Sequence, residues 1–507
     1  MPIQIIHNVA SWFLKKRIHQ MELFLKYPHE VQNELLFKLL SKAKDTEYGK
    51  EHDFKSIKTY RDFNERLPIV SYEDIYDKIE QSRQGVSNIF WPSPIKMFAK
   101  SSGTTNAKSK FIPLSEEALE DNHYAASKDL LCMYLNNNEN SKLFTGKGLR
   151  LGGSKEIYQN NGTSFGDLSA LLIDNMPLWA SFSSTPSNAV SLMGDWEQKM
   201  PAIIDETIKQ NVTSLAGVPS WMLVLLHEIL DKTGKKHIKE IWPDLEVYFH
   251  GGVSFEPYMN QYQNIIPDKN FNYYEIYNAS EGFFAAQDQN NSKDLMLMLN
   301  YGIFYEFIPM DIYGHEQEKA IALEDVQVGK NYAMVITTNS GLWRYKIGDT
   351  VRFTSKKPYR IKVTGRTKHH INVFGEELII ENAEAALKKA ALKHDVEIID
   401  YTVGPIFMEG KDKGAHEWII EFKKAPESLV QFKQSLDDNL RAVNSDYDAK
   451  RDRDTTLKML KLNKAKAGLF YSWLKNNEKL GGQHKIPRLS NERKYIEELL
   501  TLQQKMG

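Results

Sequence analysis

Four short stretches of this chain hold residue types that can handle a nucleotide. The first is Ser101-Ser102-Gly103-Thr104-Thr105-Asn106-Ala107-Lys108-Ser109-Lys110. Small hydroxyl residues around a glycine leave backbone N–H groups exposed and add hydroxyl donors. Such a loop can wrap a polyphosphate, and Lys108 or Lys110 can add positive charge. The spacing of a Walker loop is absent, and an ordinary polar hairpin turn fits the same residues. The second stretch is Tyr277-Asn278-Ala279-Ser280-Glu281-Gly282, which follows a strand-like run at 271–276. A carboxylate at a strand end beside a glycine suits Mg²⁺, which takes oxygen ligands. A capped turn is the plainer reading. The third, Arg344-Tyr345-Lys346-Ile347-Gly348-Asp349, closes a strand with an acidic residue that could accept ribose hydroxyls. A turn aspartate bonding its own backbone would look the same. The fourth is Gly481-Gly482-Gln483-His484-Lys485-Ile486-Pro487-Arg488. There paired glycines allow a bend and Pro487 fixes the backbone after Lys485, so that lysine could reach into another domain's site. Alone it reads as a solvated charge.

These residues need a scaffold. The first eighty or so residues read as helical, with Val31, Leu35, Leu36, Leu39 and Leu40 on one face, Pro28 before them and Gly49 beyond. From about residue 95, short apolar runs such as Lys96-Met97-Phe98-Ala99, Leu245-Glu246-Val247-Tyr248-Phe249 and Ala333-Met334-Val335-Ile336-Thr337-Thr338 alternate with helical stretches at 196–211 and 219–232. That alternation predicts an α/β fold with a largely parallel sheet. A strand at 359–363 ends in Gly365-Arg366, and beyond it strands near 398–404, 417–422 and 457–462 and helices near 427–443 and 465–476 predict a small α/β domain. The boundary falls at 366–370, dividing the chain into 1–368 and 369–507.

Composition narrows the function classes. Of 507 residues, 41% are apolar and 26% charged, as in ordinary globular proteins. Lysine plus arginine (65) nearly cancel aspartate plus glutamate (66), which argues against a nucleic-acid or membrane-surface protein. One cysteine, Cys132, excludes an internal disulfide and argues against a cysteine zinc site. A reducing cytoplasm fits that usage. The most apolar run, Trp221-Met222-Leu223-Val224-Leu225-Leu226, is far shorter than the about 20 residues a membrane helix needs. His7, Asn8 and Ser11 interrupt the N-terminal apolar residues, so no signal peptide is read there. The fourteen histidines show no metal spacing; the His369-His370 pair reads as solvent-facing or hinge packing, and His250 as a satisfied histidine beside the glycines rather than a base.

Taken in order, a hydroxyl-rich loop, Tyr-x-x-Ser-Glu, Gly-Asp, Gly-Arg and a C-terminal lysine follow the sequence of elements in adenylate-forming enzymes. The chain resembles the Gretchen Hagen family of acyl-acid-amido synthetases, often labelled auxin-responsive, within the adenylating superfamily of acyl-CoA synthetases and luciferases. The likeness runs nearly end to end. It includes Thr46-Glu47-Tyr48-Gly49-Lys50, Leu67-Pro68-Ile69-Val70-Ser71-Tyr72, Gly217-Val218-Pro219-Ser220-Trp221, Phe249-His250-Gly251-Gly252-Val253, Asn444-Ser445-Asp446-Tyr447 and Lys485-Ile486-Pro487-Arg488.

The resemblance implies a large N-terminal adenylating domain, with mixed and parallel sheets flanked by helices, and a small mobile C-terminal α/β domain. It implies ATP and Mg²⁺ as cofactors, a carboxylic acid and an amino acid as substrates, and a monomer or homodimer. By the same resemblance Ser101, Ser102, Gly103, Thr104 and Thr105 would bind the ATP phosphates. Tyr277 and Ser280 would lie at the adenine and α-phosphate, Glu281 near Mg²⁺, and Asp349 at the ribose. Gly251 and Gly252 would let the backbone approach the adenine, and Lys485 would be the mobile lysine of adenylation. Three departures stand out: Ala107 where the family has glycine, Lys346 where it has arginine, and Lys368 where the wider superfamily often has aspartate. The acyl acid is expected against helix 219–230, walled by Trp221, Met222 and Leu225 with His123 or Tyr124; core packing is the competing reading of that face. An apolar wall would favour an aromatic or alkyl acid over a dicarboxylate. An acyl-CoA ligase, and an ATP-binding sensor without turnover, are the alternatives.

Overall fold

The computed structural model describes residues 17–18, 21–101, 110–152, 157–160, 162–252, 255, 258–367, 371, 376, 378, 380–407, 413–444, 447–448, 451, 457–477, 485–490 and 492–506. The strands run in chain order as β1 (Met97–Ser101), β2 (Lys110–Leu114), β3 (Lys147–Arg150), β4 (Tyr158–Asn160), β5 (Thr163–Gly166), β6 (Ser184–Thr185), β7 (Val212–Gly217), β8 (Val247–Gly251), β9 (Asn272–Ala279) and β10 (Gly282–Ala286). There follow β11 (Leu295–Leu297), β12 (Ile303–Pro309), β13 (Ile321–Ala322), β14 (Asn331–Thr338), β15 (Tyr345–Lys356), β16 (Tyr359–Arg366), β17 (Glu397–Ile406), β18 (Ala415–Lys424) and β19 (Lys461–Lys464). The principal helices are α1 (Pro28–Ala43), α2 (Ala125–Asn137), α3 (Leu168–Asp174), α4 (Trp196–Thr207), α5 (Pro219–Thr233), α6 (Ile380–Lys393), α7 (Leu429–Val443), α8 (Leu469–Asn476) and α9 (Lys494–Lys505).

α1 begins with Pro28 at its first turn, where a missing N–H costs nothing, and buries Leu35, Leu36, Leu39 and Leu40. A twelve-stranded sheet organises the large N-terminal part, in the order β13-β12-β14-β15-β16-β11-β10-β9-β8-β7-β3-β6. Its end from β6 to β9 is parallel. The end from β9 to β13 is antiparallel. The largely parallel sheet expected from strand–helix alternation is therefore a mixed one. The reason lies in the connections. α5 crosses from β7 to β8, whereas β9–β10 and β15–β16 are joined by turns too short for a crossover and must return antiparallel. A second sheet, β2-β1-β5-β4, stands beside it.

A smaller C-terminal α/β domain is built on the sheet β17-β18-β19. Its core joins Leu387 of α6, Tyr401, Trp418, Phe432, Leu436 and Leu440. α6 and α9 are additional to the helices read from sequence in this domain. The two domains touch through Arg488, whose Nη2 donates to the Tyr258 hydroxyl at 3.1 Å, and through the Lys475–Glu197 ion pair at 2.5 Å. Among the described residues, no helix is long and apolar enough to cross a membrane.

Candidate active site

The ends of β8, β9, β10, β15 and β16 converge on one cleft of about 1610 Å³, which is also lined from the small domain by Lys485–Arg488. Gly251, Gly252, Tyr277, Ser280, Glu281, Asp349, Arg366 and Lys485 all line it, so residues from five separate stretches of sequence meet in one place.

The backbone reasons are local. β8 ends at Gly251, where a Cβ would lie 2.5 Å from the Ile276 carbonyl oxygen of β9, so only glycine lets these two parallel strands close up there. Gly252 turns with φ +79°, a left-handed conformation that favours glycine, and a Cβ on it would stand 3.4 Å from Lys485 Nζ. The β9–β10 turn then presents Ser280 and Glu281.

Asp349 sits on β15, opposite Arg366 of β16. It is buried, and both of its oxygens are held. Tyr277 donates its hydroxyl to Oδ2 at 2.7 Å, and Arg366 Nε lies 2.8 Å from Oδ1. Burial, and the carboxylate it donates to, push the Tyr277 phenol well above its ordinary value, so it stays a protonated donor. Burial also raises the Glu281 carboxyl above its usual 4.5; Asp349 adds to that, while Arg366 and Lys110 oppose it.

Lys485 keeps solvent contact through the cleft although protein surrounds it closely. That enclosure pushes its ammonium down to about 7, the Arg366 charge pushes the same way, and Asp349 pulls it back up. His250 stacks on Phe255 with ring centroids 4.2 Å apart, and burial pushes it down to about 3, so it is neutral. A neutral imidazole keeps one N–H but is no general acid at neutral pH.

Ser101 is the last residue of β1 and pairs with Lys110, the first of β2. Lys110 lines the cleft, so the foot of the hydroxyl-rich hairpin stands at its edge. Ser102, Gly103, Thr104, Thr105 and Ala107 lie outside the described residues, as does Lys368. Trp221 lines the cleft from the first turn of α5. Met222 and Leu225 are instead fully buried in the core that α5 shares with α4 and β7. Lys346 lines the cleft with its ammonium 2.9 Å from Glu318 Oε1.

Arg366 was read from sequence only as part of a hinge. A signal for its pairing was present: counting outward equally from the Lys357–Pro358 turn sets Asp349 against Arg366.

Family models for the N-terminal, central and C-terminal domains of the GH3 family match residues 17–271, 296–366 and 381–494. The chain belongs to the GH3 family. Among curated relatives, indole-3-acetic acid-amido synthetase GH3.4 of Arabidopsis thaliana is 26% identical over 407 residues, covering 67% of each chain. Jasmonoyl--L-amino acid synthetase JAR6 of Nicotiana attenuata is 23% identical over 555 residues, covering 94% of this chain and 93% of its own. Among solved structures, the AtGH3.15 acyl acid amido synthetase in complex with 2,4-DB superposes with a TM-score of 0.79 at 19% identity, covering 93% of each chain. A 2-hydroxyisobutyryl-CoA ligase in the postadenylation state gives 0.56 at 13% identity, covering 97% of this chain and 91% of its own. The chain thus has the fold of these two solved structures.

Proposed function

We propose that the protein is an ATP-dependent acyl-acid-amido synthetase. It adenylates a carboxylic acid, releases pyrophosphate and passes the acyl group to an amine, most simply that of an amino acid. The observation that carries this reading is the meeting of Tyr277, Ser280, Glu281, Asp349, Arg366 and Lys485 at one cleft, in a chain whose family relatives bear amido synthetase names.

In the first step an oxygen of the acid's carboxylate attacks the α-phosphorus, and the bond from that phosphorus to the bridging oxygen of pyrophosphate breaks. Two anions must meet, so positive charge has to be placed beforehand where negative charge gathers. Lys485 supplies it, with Lys110 at the edge of the hydroxyl-rich hairpin. Ser101, Ser102, Gly103, Thr104 and Thr105 cradle the phosphates in this reading. The Asp349–Tyr277 pair holds the ribose side of the nucleotide, and Gly251–Gly252 admit the adenine against the strand end.

Glu281 fits a Mg²⁺ ion shared with ATP. It is an oxygen donor at the cleft whose carboxyl is raised by burial, so a bound cation would offset the cost of its charge, and Mg²⁺ characteristically takes one or two carboxylates together with substrate phosphates. Bound there, Mg²⁺ would screen the phosphate charge. In the second step the amine nitrogen attacks the acyl carbonyl; the C–N bond forms, the bond to AMP breaks, and the amine's proton leaves to solvent. Residues 369–507 act as a mobile unit in this reading, and withdrawal of Lys485 opens the path for the amine. The reaction is assigned to the cytoplasm.

Acid-dependent ATP–pyrophosphate exchange tests the first step, and product mass with amino acids or CoA as acceptor tests the second. Exchange with some acids, followed by amide formation, is expected. Tight ATP binding without exchange across a broad acid panel would overturn the proposal.

A further inference from the structure

Arg150 is the last residue of β3, and the two residues after it, Leu151 and Gly152, line the cleft together with Ser169 of α3. Leu149 points into the core shared with α5. Strand alternation therefore puts Arg150 on the opposite face of the sheet, with Tyr124 and Met176. Among the described residues its Nη1 meets the Met176 sulfur, a weak acceptor, at 2.5 Å. Its Nε is buried with no acceptor. Tyr124 already donates its hydroxyl to the Leu172 carbonyl at 2.9 Å.

No carboxylate pairs with Arg150 among the described residues. Every other described arginine has one: Arg344 has Glu306, Arg451 has Asp437, Arg366 has Asp349, Arg360 has Asp288, and the remainder are likewise paired. Burial alone depresses the Arg150 guanidinium, to about 10. A partly buried, planar, five-donor cation without its anion is costly to keep, and its fork matches a carboxylate.

Its place in the sheet says which anion. β3 lies two strands from β8, whose Gly251–Gly252 face Lys485. At about 4.8 Å per strand that is about 10 Å of lateral separation. This is the length of a medium-chain or aromatic acid whose reacting carboxylate lies at the nucleotide.

We propose that Arg150 anchors a second carboxylate at the far end of the acyl acid, so that the preferred substrate is a dicarboxylic acid of which one end is adenylated. The inference rests on the adenylation reading above. It reverses the expectation of an apolar acid, because Met222 and Leu225, two of the residues on which that expectation stood, are core.

The test is ATP–pyrophosphate exchange without amine, on matched pairs: suberate against octanoate, and 4-carboxycinnamate against cinnamate. In the unaltered protein the diacid should exceed its monoacid in kcat/KM by about 10- to 100-fold, the range of a charge-assisted hydrogen bond. Arg150→Gln should erase that preference and leave the monoacids little changed, which also reports that the variant folds. Arg150→Lys should restore part of it. Should Arg150→Gln fail to fold, the comparison within the unaltered protein still decides. Equal use of both members of each pair, or an equal loss for both in Arg150→Gln, would overturn the inference and leave adenylation standing. Unchanged exchange with a raised amino-acid KM would place the acceptor's carboxylate at Arg150 and also overturn it. Silence with every acid would sink the adenylation reading, and this inference with it.

Discussion

The charge state of Lys485 should write itself into the pH dependence of adenylation. Its ammonium stands near 7, because the close protein envelope and the Arg366 charge outweigh the attraction of Asp349. If the protonated form is the one that neutralises the phosphates, the competent fraction of free enzyme is about one half at pH 7, one tenth at pH 8 and one hundredth at pH 9, or about 1.4 kcal/mol per pH unit. The sign follows from that: protonation is required, so activity is present below the inflection and lost above it. The profile of kcat/KM for ATP reports free enzyme and should fall tenfold per unit above about 7. The profile of kcat should stay level to higher pH, because bound triphosphate favours the ammonium. Exchange kinetics between pH 6 and 9.5, in one buffer of constant ionic strength, measure both. Lys485→Arg, always charged, should flatten the kcat/KM profile even where its rate is reduced. A level wild-type kcat/KM profile up to pH 9 would remove Lys485 as the titrating group, as would an inflection retained in Lys485→Arg.

Other perturbations follow from the same contacts. Asp349→Asn removes the charge that raises Lys485 and should move the kcat/KM inflection downward, whereas Arg366→Gln should move it upward; the pH profiles of the two variants must shift in opposite directions. The same Asp349→Asn change should weaken ATP binding by about 1.5–3 kcal/mol, the worth of a charged hydrogen bond, read by calorimetry. Glu281→Gln should raise the Mg²⁺ concentration needed for half-maximal exchange, and an unchanged Mg²⁺ titration would remove it as a ligand. Leu225→Ala should cost about 2–5 kcal/mol of stability in denaturant unfolding without altering which acids are used, while Trp221→Ala, at a residue that both lines the cleft and packs on the core, should change acid KM.

Sequence carried much of this site, and unevenly. Glu281 and Asp349 were readable because turns and strand ends have local signatures, whereas Gly251 and Gly252 entered only through the family resemblance. Lys485 was readable only by company: nothing local distinguishes a loop lysine from a solvated one, and its depressed ammonium arises first from the protein packed around it and then from Arg366, more than a hundred positions away. Met222 and Leu225 illustrate the opposite failure. Apolar periodicity says that a helix face is buried, but not whether protein or substrate covers it. Trp221, next to Met222 in the chain, lines the cleft as well as packing on the core. The antiparallel half of the large sheet was hidden because strand–helix alternation dominates the first half of the chain, and hairpin connections replace it after β9. Arg150 drew no notice because a missing partner is a property of three dimensions alone.

Adenylation requires that the acid's own oxygen attack the α-phosphorus. Turnover of a carboxylic acid labelled in both oxygens with the heavy isotope, with ATP and an amino acid, tests it by mass spectrometry of the nucleotide product. AMP carrying one labelled oxygen, with unlabelled pyrophosphate and a singly labelled amide, is the expected result. Unlabelled AMP, or ADP with label in inorganic phosphate, would contradict it.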